Sequence, residues 1–332
     1  MEAPSLAAFK NLVNLAGQDL GTQVVFANDD FFAEKENLIK PEEPVFLPDE
    51  YTERGKWMDG WESRRKRELG FDRCVIKLGL PGTIKAVNID TRHFLGNHPA
   101  FASVDAAKID TQSANVTLGE EKLWREILPQ VPLLRGSPNL FAIEEMADFT
   151  HVRLNIFPDG GVARFRVYGD VVPRKPSDKV VDLAGLINGG KVVGCNDMFF
   201  GDMHNLIKPH PGVNMGDGWE TRRKRDWSED WLVVKLGQKG SLEKVILSTA
   251  HFIGNYPKYF SLDGINIEGK RLRFYDGQEQ DWTPILQEKA LGPNEEFNFD
   301  TLQNAGPFTH VRLRIFPDGG VSRLRVMGKV VS

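Results

Sequence analysis

The sequence DGWESRRKR at residues 59–67 occurs a second time in the chain, as DGWETRRKR at residues 217–225, and this duplication indicates the domain organisation. The two copies begin 158 residues apart and differ only at Ser63 and Thr221, which both carry a hydroxyl. This spacing is several times longer than the unit of a solenoid protein, which spans about 20–50 residues. In a chain of 332 residues, the duplication therefore predicts two domains of one ancestral kind.

Three further blocks recur in the same order in both halves of the chain. The first is an apolar strand ending in Leu-Gly, at residues 74–79 and 232–237. The second is a His-Phe-x-Gly-Asn loop, at residues 93–97 and 251–255. The third is a long segment that begins Phe-Thr-His-Val-Arg, at residues 149–169 and 308–328. Between residues 41 and 59 the first half is ten residues longer than the second, which predicts an insertion in a loop. The proline-containing segment 172–179 is the predicted linker.

Short apolar strands between glycine and proline turns dominate both halves, and helical spacing is confined to residues 6–15 and 120–128. Residues 74–79 and 87–89 are predicted as two separate strands, since glycine ends the first of them. This pattern is typical of β-sandwiches. We therefore predict an all-β protein of two tandem jelly-roll β-sandwich domains, at residues 1–171 and 180–332.

The long repeated segment has the alternation of a β-strand over residues 151–157, with apolar residues on one face and His, Arg and Asn on the other. The turn sequence Pro-Asp-Gly-Gly follows at residues 158–161, and Arg164 and Arg166 then alternate with apolar residues. The pattern predicts a β-hairpin with one apolar and one basic face. That basic face, to which Arg153 also belongs, is a candidate interdomain or subunit surface.

The composition is that of an ordinary globular protein, with 27% charged and 41% hydrophobic residues. The formal net charge of −4 argues against nucleic acid as the main partner, which usually requires a basic domain. No apolar run approaches the length that spans a membrane, so no membrane partner is expected. Cys74 and Cys195 are too few for a disulfide framework. We therefore expect a cytoplasmic protein, and we expect it to assemble as a homo-oligomer.

The ordered blocks of the chain resemble those of allantoicases, over nearly the whole length and in both halves. Each half is also similar, in shorter patterns, to the galactose-binding-like (discoidin-type) sandwich. The resemblance implies a hydrolase of carbon–nitrogen bonds that cleaves allantoate to ureidoglycolate and urea in purine (ureide) degradation. The sandwich also admits two alternatives, a non-catalytic ligand-binding module and a protein with one active and one degenerate repeat.

Allantoate carries one carboxylate and two ureido arms on one carbon, which suggests roles for the charged motif. A guanidinium fork matches the carboxylate with two parallel hydrogen bonds, and carboxylates accept the ureido N–H groups. Loss of urea also requires a positioned acid, because nitrogen is a poor leaving group. The arginines could instead pin loops on Asp59 and Glu62, so the structural alternative stays open. The predicted substrate-binding residues are Asp59, Arg64, Arg65 and Asn97 in the first half and Asp217, Arg222, Arg223 and Asn255 in the second.

Paired histidines are the other candidates for proton transfer. His93 and His251 lie in the Gly-Asn loop, where side chains often face solvent or ligand, whereas His151 and His310 lie on a strand. A metal site is not indicated, because no HExxH or paired CxxC occurs and Ser248 replaces Asp90 near the second histidine loop. We therefore expect no metal or other cofactor. The predicted catalytic residues are Glu62, His93, Glu220 and His251.

Overall fold

The computed structural model describes residues 12–109, 120–173, 179–226, 228–268, 272 and 281–331. The chain divides into a first unit, residues 1–172, and a second unit, residues 173–332. Within the described ranges all long elements are β-strands, and the helical turns are short 3₁₀ segments. The predicted all-β class of tandem β-sandwiches is thus confirmed. Most of the segment 6–15 and the middle of the predicted linker, residues 174–178, lie outside the described residues.

The two units contain matching sets of strands. The strands of the first unit are β1 Val13–Asn14, β2 Gln23–Ala27, β3 Tyr51–Thr52, β4 Gly55–Lys56, β5 Trp61–Glu62, β6 Asp72–Asp90, β7 Phe101–Ala107, β8 Arg125–Pro132, β9 Pro138–Ala142, β10 Asp148–Phe157, β11 Gly161–Val162 and β12 Arg164–Val171. Those of the second are β13 Val181–Asp182, β14 Lys191–Cys195, β15 Trp219–Glu220, β16 Asp230–Ser248, β17 Tyr259–Ile265, β18 Thr283–Ala290, β19 Glu296–Phe299, β20 Phe308–Phe316, β21 Gly320–Val321 and β22 Arg323–Val330. The 3₁₀ turns are Gln18–Leu20, Lys35–Ile39, Glu121–Leu123, Leu186–Asn188, Met203–Ile207 and Met215–Asp217. No helix of the described ranges is long and apolar enough to cross a membrane.

The first unit is built on β6, a strand of 19 residues that two groups of strands share. Its first half pairs with β2 and β10, and its second half pairs with β9 and β12. β7 and β8 extend the first group, and β1 extends the second. The pairing of β6 with β10 shifts register between Phe149 and His151, where the strand changes partners. The unit is therefore two antiparallel layers joined through one strand.

The second unit repeats this arrangement around β16, which pairs with β14 and β20 and then with β19 and β22. Two cross-strand pairs show how closely the layouts agree. Ala27 pairs with Cys74 in the first unit, and Cys195 pairs with Leu232 in the second. Each cysteine thus occupies a site that a small or aliphatic residue fills in the other unit, and neither forms a disulfide.

The core of each unit consists of aliphatic and aromatic side chains that the strands project between the layers. The strand alternation places them there, because every second residue of a half-buried strand points inward. The hydrophobic effect then supplies about 1.5–3 kcal/mol for each large side chain that is fully buried. Fully buried examples are Ile76, Ile89, Val152, Leu154 and Phe165 in the first unit and Val234, Leu247, Val311, Leu313 and Leu324 in the second.

The predicted β-hairpin is wrong. β10 and β12 follow one another in the chain, but β6 lies between them in the sheet. After the Pro-Asp-Gly-Gly turn the chain first forms β11, which pairs with β5 of the repeated motif. The Asp159 carboxylate at this turn accepts the backbone N–H of Lys66 at 2.8 Å. Because the turn is bound to the motif, the following strand leaves in a new direction and joins the opposite side of β6.

One smaller prediction about local structure is also wrong, and one segment with helical spacing does not form a helix. Residues 74–79 and 87–89 are not separate strands but parts of β6, which continues through Gly79 and Gly82. The segment 120–128 is not a helix, because a single 3₁₀ turn is followed at once by β8. Pairing of β8 with β7 outweighs the local helical spacing there.

The basic face of the predicted hairpin is buried within the first unit rather than exposed for a partner. Arg153 donates to Asp105 at 2.9 Å and is 8% exposed. Arg164 is 1% exposed, and Arg166 donates to the backbone carbonyl of Pro41 at 3.1 Å. The inserted loop between residues 41 and 59 supplies such carbonyl groups, and it thereby covers this part of the sheet. His151 is also buried, which lowers its pKa to about 4.

Candidate active site

The repeated motif begins with a short strand that is fixed on both sides. β5 pairs with β11, and Glu62 also forms an isolated bridge with Ala33. Trp61 is fully buried, and its indole N–H donates to the Asp29 carbonyl at 2.8 Å. Gly60 is needed beside it, because an added Cβ would lie 2.5 Å from the Val162 carbonyl oxygen. The motif is therefore a strand entering an ordered loop, which fixes the direction in which Glu62 points.

The basic run after Glu62 divides into residues that hold the loop and residues that do not. Arg64 donates through Nε to Asp29 at 2.6 Å and stacks on the Phe31 ring at 5.3 Å. Lys66 forms an ion pair with the buried Asp72 at 2.6 Å. Arg65 and Arg67 are exposed and have no ion-pair partner among the residues that the structure describes. Two guanidinium groups are therefore available to a ligand.

Glu62 and Asn97 form a pair at the centre of the site. The Asn97 side-chain amide donates to Oε1 of Glu62 at 2.7 Å. Burial raises the pKa of Glu62 above the ordinary value of 4.5, and the hydrogen bond from Asn97 lowers it in part. The backbone of Asn97 is fixed as well, because its carbonyl accepts the Gly161 N–H at 2.8 Å. Glu62 thus holds a proton more readily than an exposed glutamate does.

An open cleft of about 730 Å³ lies over this pair, and we call it the Glu62 cleft. The polar and charged residues that line it are Glu62, Ser63, Arg64, Arg65, Arg67, Asn97, His98 and Asp159. His98 carries a buried Nδ1 that has no hydrogen-bond partner among the described residues. Burial lowers the pKa of His98, and the charge of Arg135 lowers it further. The cleft therefore combines a protonatable carboxyl, a neutral imidazole and positive charge.

Glu62 and Asn97 also line a neighbouring aromatic groove of about 360 Å³. The inserted loop forms part of its wall through Phe46 and Lys56, whose ammonium lies 4.7 Å from the Phe46 ring centroid. His93 stacks on the same ring with centroids 5.7 Å apart. The other contact of His93 is through Nε2, which lies 3.0 Å from the Pro44 carbonyl oxygen. His93 thus contacts the inserted loop at the edge of the site.

The predicted site residues of the first half do not all meet in this cleft. Glu62, Arg64, Arg65 and Asn97 line it, whereas Asp59 lies beneath the motif. The Asp59 carboxylate accepts from Arg164 at 2.7 Å and from the Val45 backbone at 3.0 Å. Burial raises the pKa of Asp59, but these hydrogen bonds and the charge of Arg164 lower it overall. Its contacts tie the motif to β12 and to the inserted loop.

The second unit reproduces the frame of the site. Asn255 donates to Glu220 at 2.6 Å, and Arg222 pairs with Asp197 at 2.7 Å. The counterpart of Asp59 is Asp217, which accepts from Arg323 at 2.7 Å. His251 again contacts a backbone carbonyl, that of Gly212, at 2.8 Å. Arg223 is exposed like its counterpart in the first unit.

Two differences separate the sites. Tyr256 stands in the second unit where the first has His98, and the ten-residue insertion that carries Phe46 and Lys56 has no counterpart. The unpartnered imidazole and the aromatic wall are therefore features of the first unit.

No group of three or more His, Cys, Asp and Glu side chains that could hold a metal occurs in the described ranges. Asp90 and His93, which are three residues apart in the sequence and would be the candidate metal ligands, bind protein groups instead. Asp90 accepts from the Arg92 side chain at 2.8 Å and from its backbone N–H at 2.9 Å, and the His93 ring contacts the inserted loop.

Comparison with known proteins identifies the relatives of this arrangement. The allantoicase repeat family model matches residues 13–172 and again 181–331, so that it covers both units. A probable allantoicase of Pseudomonas savastanoi pv. phaseolicola is 46% identical over 330 residues, which is 98% of each chain. Probable allantoicase 1 of Burkholderia mallei is 46% identical over 325 residues, or 96% of this chain and 95% of the relative. The chain belongs to the allantoicase family.

A solved structure agrees with this relation. The crystal structure of allantoicase from Saccharomyces cerevisiae matches with a TM-score of 0.84 and 36% sequence identity, over 98% of this chain and 99% of that one. The family relation supports the enzyme interpretation of the sequence and not the alternative of a non-catalytic binding module.

Sequence reasoning missed two residues of the cleft, His98 and Arg67. His98 has no histidine partner in the other half, so a search for paired histidines passes over it. Arg67 lies in a charge run, and the sequence does not show which members of such a run already have partners. The available signal was the loop itself, since HFLGNHPA places His98 directly after Asn97.

Proposed function

We propose that the chain hydrolyses allantoate to ureidoglycolate and urea, and that the reaction takes place in the Glu62 cleft of the first unit. The observation that carries this proposal is the half-buried Glu62, with its raised pKa, in one cleft with the guanidinium groups of Arg65 and Arg67, which have no ion-pair partner among the described residues. Such a group is suited to proton transfer, because burial makes it hold a proton more readily than an exposed glutamate does. The family relation supports the choice of substrate.

The substrate carboxylate binds to Arg65 and Arg67 in this proposal. A guanidinium presents two parallel N–H groups to a carboxylate, and neither side chain has to leave an ion-pair partner within the described part of the chain. Arg64 has a smaller share, because Asp29 and the Phe31 ring hold its guanidinium. Ureido N–H groups are donors, and the Glu62 carboxyl oxygens are the acceptors at the centre of the cleft.

Glu62 transfers the proton that releases urea. Protonation of the ureido nitrogen on the central carbon breaks the carbon–nitrogen bond, and urea leaves with the bonding electron pair. The remaining fragment is a planar N-acyliminium cation, whose charge the other ureido nitrogen shares. Water then adds to this carbon, and the Glu62 carboxylate accepts the proton that the water loses, which restores the acid. The products are urea and ureidoglycolate, and one water is consumed. Asn97 holds the carboxyl in place through its hydrogen bond of 2.7 Å.

His98 assists water addition as a neutral acceptor. Its lowered pKa keeps the ring uncharged at neutral pH, and its Nδ1 has no partner among the described residues. Since Tyr256 replaces His98 in the second unit and the inserted wall is missing there, we assign the reaction to the first unit and a supporting role to the second. We further propose that the enzyme is cytosolic and homo-oligomeric, with the absence of a disulfide framework supporting the former.

Product analysis tests the proposed reaction. Allantoate should yield urea and ureidoglycolate in equal amounts, without ammonia as a first product, because the bond that breaks joins nitrogen to the central carbon. Attack on a ureido carbonyl would release ammonia and carbon dioxide instead, and this result would rule out the proposal. Tight binding of allantoate without turnover would favour a binding module.

A further inference from the structure

A separate pocket of about 270 Å³ lies in the first unit, on the sheet formed by β9, β6 and β12. Asn88 and Asp90 come from β6, and Arg166 and Tyr168 come from β12. We call it the Asn88 pocket. It shares no lining residue with the Glu62 cleft or with the aromatic groove, so a ligand there would not occupy the proposed active site.

Asn88 is the unusual residue of this pocket. It is 6% exposed, and its Oδ1 is buried without a hydrogen-bond partner among the described residues. The residues opposite it in the sheet, Arg166 and Leu140, leave this acceptor unmet. A buried carbonyl without a donor is unfavourable, and proteins seldom keep one without a reason. A ligand N–H that entered the pocket would satisfy it.

The second unit shows that the fold does not require these polar side chains. Ile246, Ser248 and Ala250 stand there at the positions of Asn88, Asp90 and Arg92, and Met327 stands at that of Tyr168. The same sheet positions are paired in the same way, Ile246 with Arg325 as Asn88 with Arg166. The polar pocket is therefore an addition of the first unit and not a condition of its folding.

The charges of the pocket cancel, which limits the kind of ligand. Asp90 accepts two hydrogen bonds from the Arg92 guanidinium, and Arg92 also pairs with Glu43. Arg166 adds a second positive charge, which backbone carbonyls of residues 40–42 solvate. Two acidic and two basic side chains leave no net charge for an ion to neutralise. Within the described ranges the Asn88 Oδ1 and the Tyr168 hydroxyl have no hydrogen-bond partner, and they suit a molecule with both N–H and C=O groups.

We propose that the Asn88 pocket binds a small uncharged molecule that carries a urea or carboxamide group. An N–H of the ligand donates to Oδ1 of Asn88, and its carbonyl oxygen accepts from the Tyr168 hydroxyl. The inference stands apart from the proposed reaction, although urea, its product, belongs to this chemical class.

Saturation-transfer NMR with N-methylurea tests the proposal on the full chain. The methyl signal should show transfer from the wild-type protein and fall at least about 5-fold in the Asn88→Ile variant, which installs the residue of the second unit. It should persist in the Glu62→Gln variant, because that residue lies outside the pocket. Equal transfer in wild type and Asn88→Ile, or no transfer from wild type, would overturn the proposal. Loss in Glu62→Gln alone would assign the binding to the cleft and would equally overturn it.

The folding of the variant provides an independent readout. Removal of an unsatisfied acceptor should leave the melting temperature of Asn88→Ile unchanged or raise it, whereas a structural role of Asn88 predicts a lower one with unchanged binding. If that variant does not fold, Tyr168→Phe takes its place, since it removes only the hydroxyl and should also weaken transfer. Crystals soaked with thiourea should show the sulfur beside Asn88 and Tyr168. Sulfur elsewhere, with this pocket empty, would contradict the assignment.

Discussion

Substitution of Glu62 by glutamine separates proton transfer from packing in the proposed site. Glutamine has the same shape, and its side-chain oxygen can still accept the hydrogen bond that Asn97 donates at 2.7 Å. What disappears is the proton that Glu62 delivers and takes back. We expect kcat to fall by about 10²–10⁴, the usual contribution of a general acid–base. At about 1.36 kcal/mol for each factor of ten, this is roughly 3–5 kcal/mol of transition-state stabilisation.

The same variant should change stability very little. Burial raises the pKa of Glu62 more than the Asn97 hydrogen bond lowers it, so the folded protein disfavours the charged form. The neutral amide of glutamine avoids that desolvation penalty. Its hydrogen bond with Asn97 is weaker than that of a carboxylate, and a hydrogen bond to a charged group contributes about 1.5–3 kcal/mol in full. The two effects oppose each other, and we expect the melting temperature to stay within a few degrees of wild type.

The assay measures urea release from allantoate, together with thermal unfolding of each variant. Glu220→Gln is the matched control, because Glu220 accepts from Asn255 at 2.6 Å in the same local frame. If the first unit carries the reaction, only Glu62→Gln reduces kcat severely. A lower melting temperature in both variants with normal turnover of the folded protein would refute the reasoning, because the motif would then be scaffold. Equal loss in both would refute the assignment to one unit.

The pH dependence of the reaction gives a second check on the same group. The first step of the reaction needs the protonated form of Glu62, because this form donates the proton that releases urea before water adds. The pH dependence of kcat/KM therefore reports on the fraction of enzyme in which Glu62 is protonated. Activity should therefore fall as pH rises through the pKa of Glu62, which lies above the ordinary 4.5. In Glu62→Gln this dependence should disappear along with most of the rate. Persistence of the same limb in the variant would assign it to another group.

Three other predictions follow from single contacts and from the chelation of metals. Arg65→Ala should raise KM by about 10- to 100-fold in steady-state kinetics with little change in kcat, because a hydrogen-bonded charge contact is worth about 1.5–3 kcal/mol; a change confined to kcat would contradict this. Asp59→Asn should lower the free energy of unfolding of the first unit by about 3–5 kcal/mol in chemical unfolding, because it leaves Arg164 buried without its carboxylate. In wild type the stability that this ion pair contributes is complete above 3.8, the pKa of Asp59 in the unfolded chain. It is lost as pH falls through the lower pKa of Asp59 in the folded protein. Exhaustive chelation of metal ions should leave most of the enzyme activity. Complete loss of activity that only added manganese or zinc restores would overturn the expectation that no metal is needed.

The sequence alone was sufficient for the class of fold, because duplicated blocks and strand alternation are local signals. It was insufficient for the topology. The alternation around residues 151–157 and Arg164 predicts two strands correctly, but it does not show that β6 lies between them. That arrangement joins positions distant in sequence, as does the hydrogen bond that the Lys66 backbone donates to Asp159 beside the turn. Pairing of this kind leaves no periodicity for a sequence pattern to reveal.

The candidate site was predicted in part for a related reason. Residue type and spacing pointed to Glu62 and Asn97, which the structure brings together. The same reasoning treated Asp59 and Arg64 as free for a ligand, although Arg164 and Asp29 already occupy them. Which charges in a basic run remain available depends on distant partners, and those partners appear only when the chain is folded.

Agreement between the two copies of the motif is therefore ambiguous evidence of function. The fixed contacts of Trp61, Lys66 and Asp59 recur in the second unit, and each of them serves the loop rather than a ligand. Identity between the units therefore includes residues that both units need in order to fold, alongside the Glu62–Asn97 pair of the proposed site. The places where the units differ are more informative, because folding does not explain them. His98 in the Glu62 cleft and Asn88 in its own pocket are both of this kind, each with a buried atom that no described residue satisfies. A buried polar atom of this kind calls for a partner, and both lie in pockets that are open to a ligand.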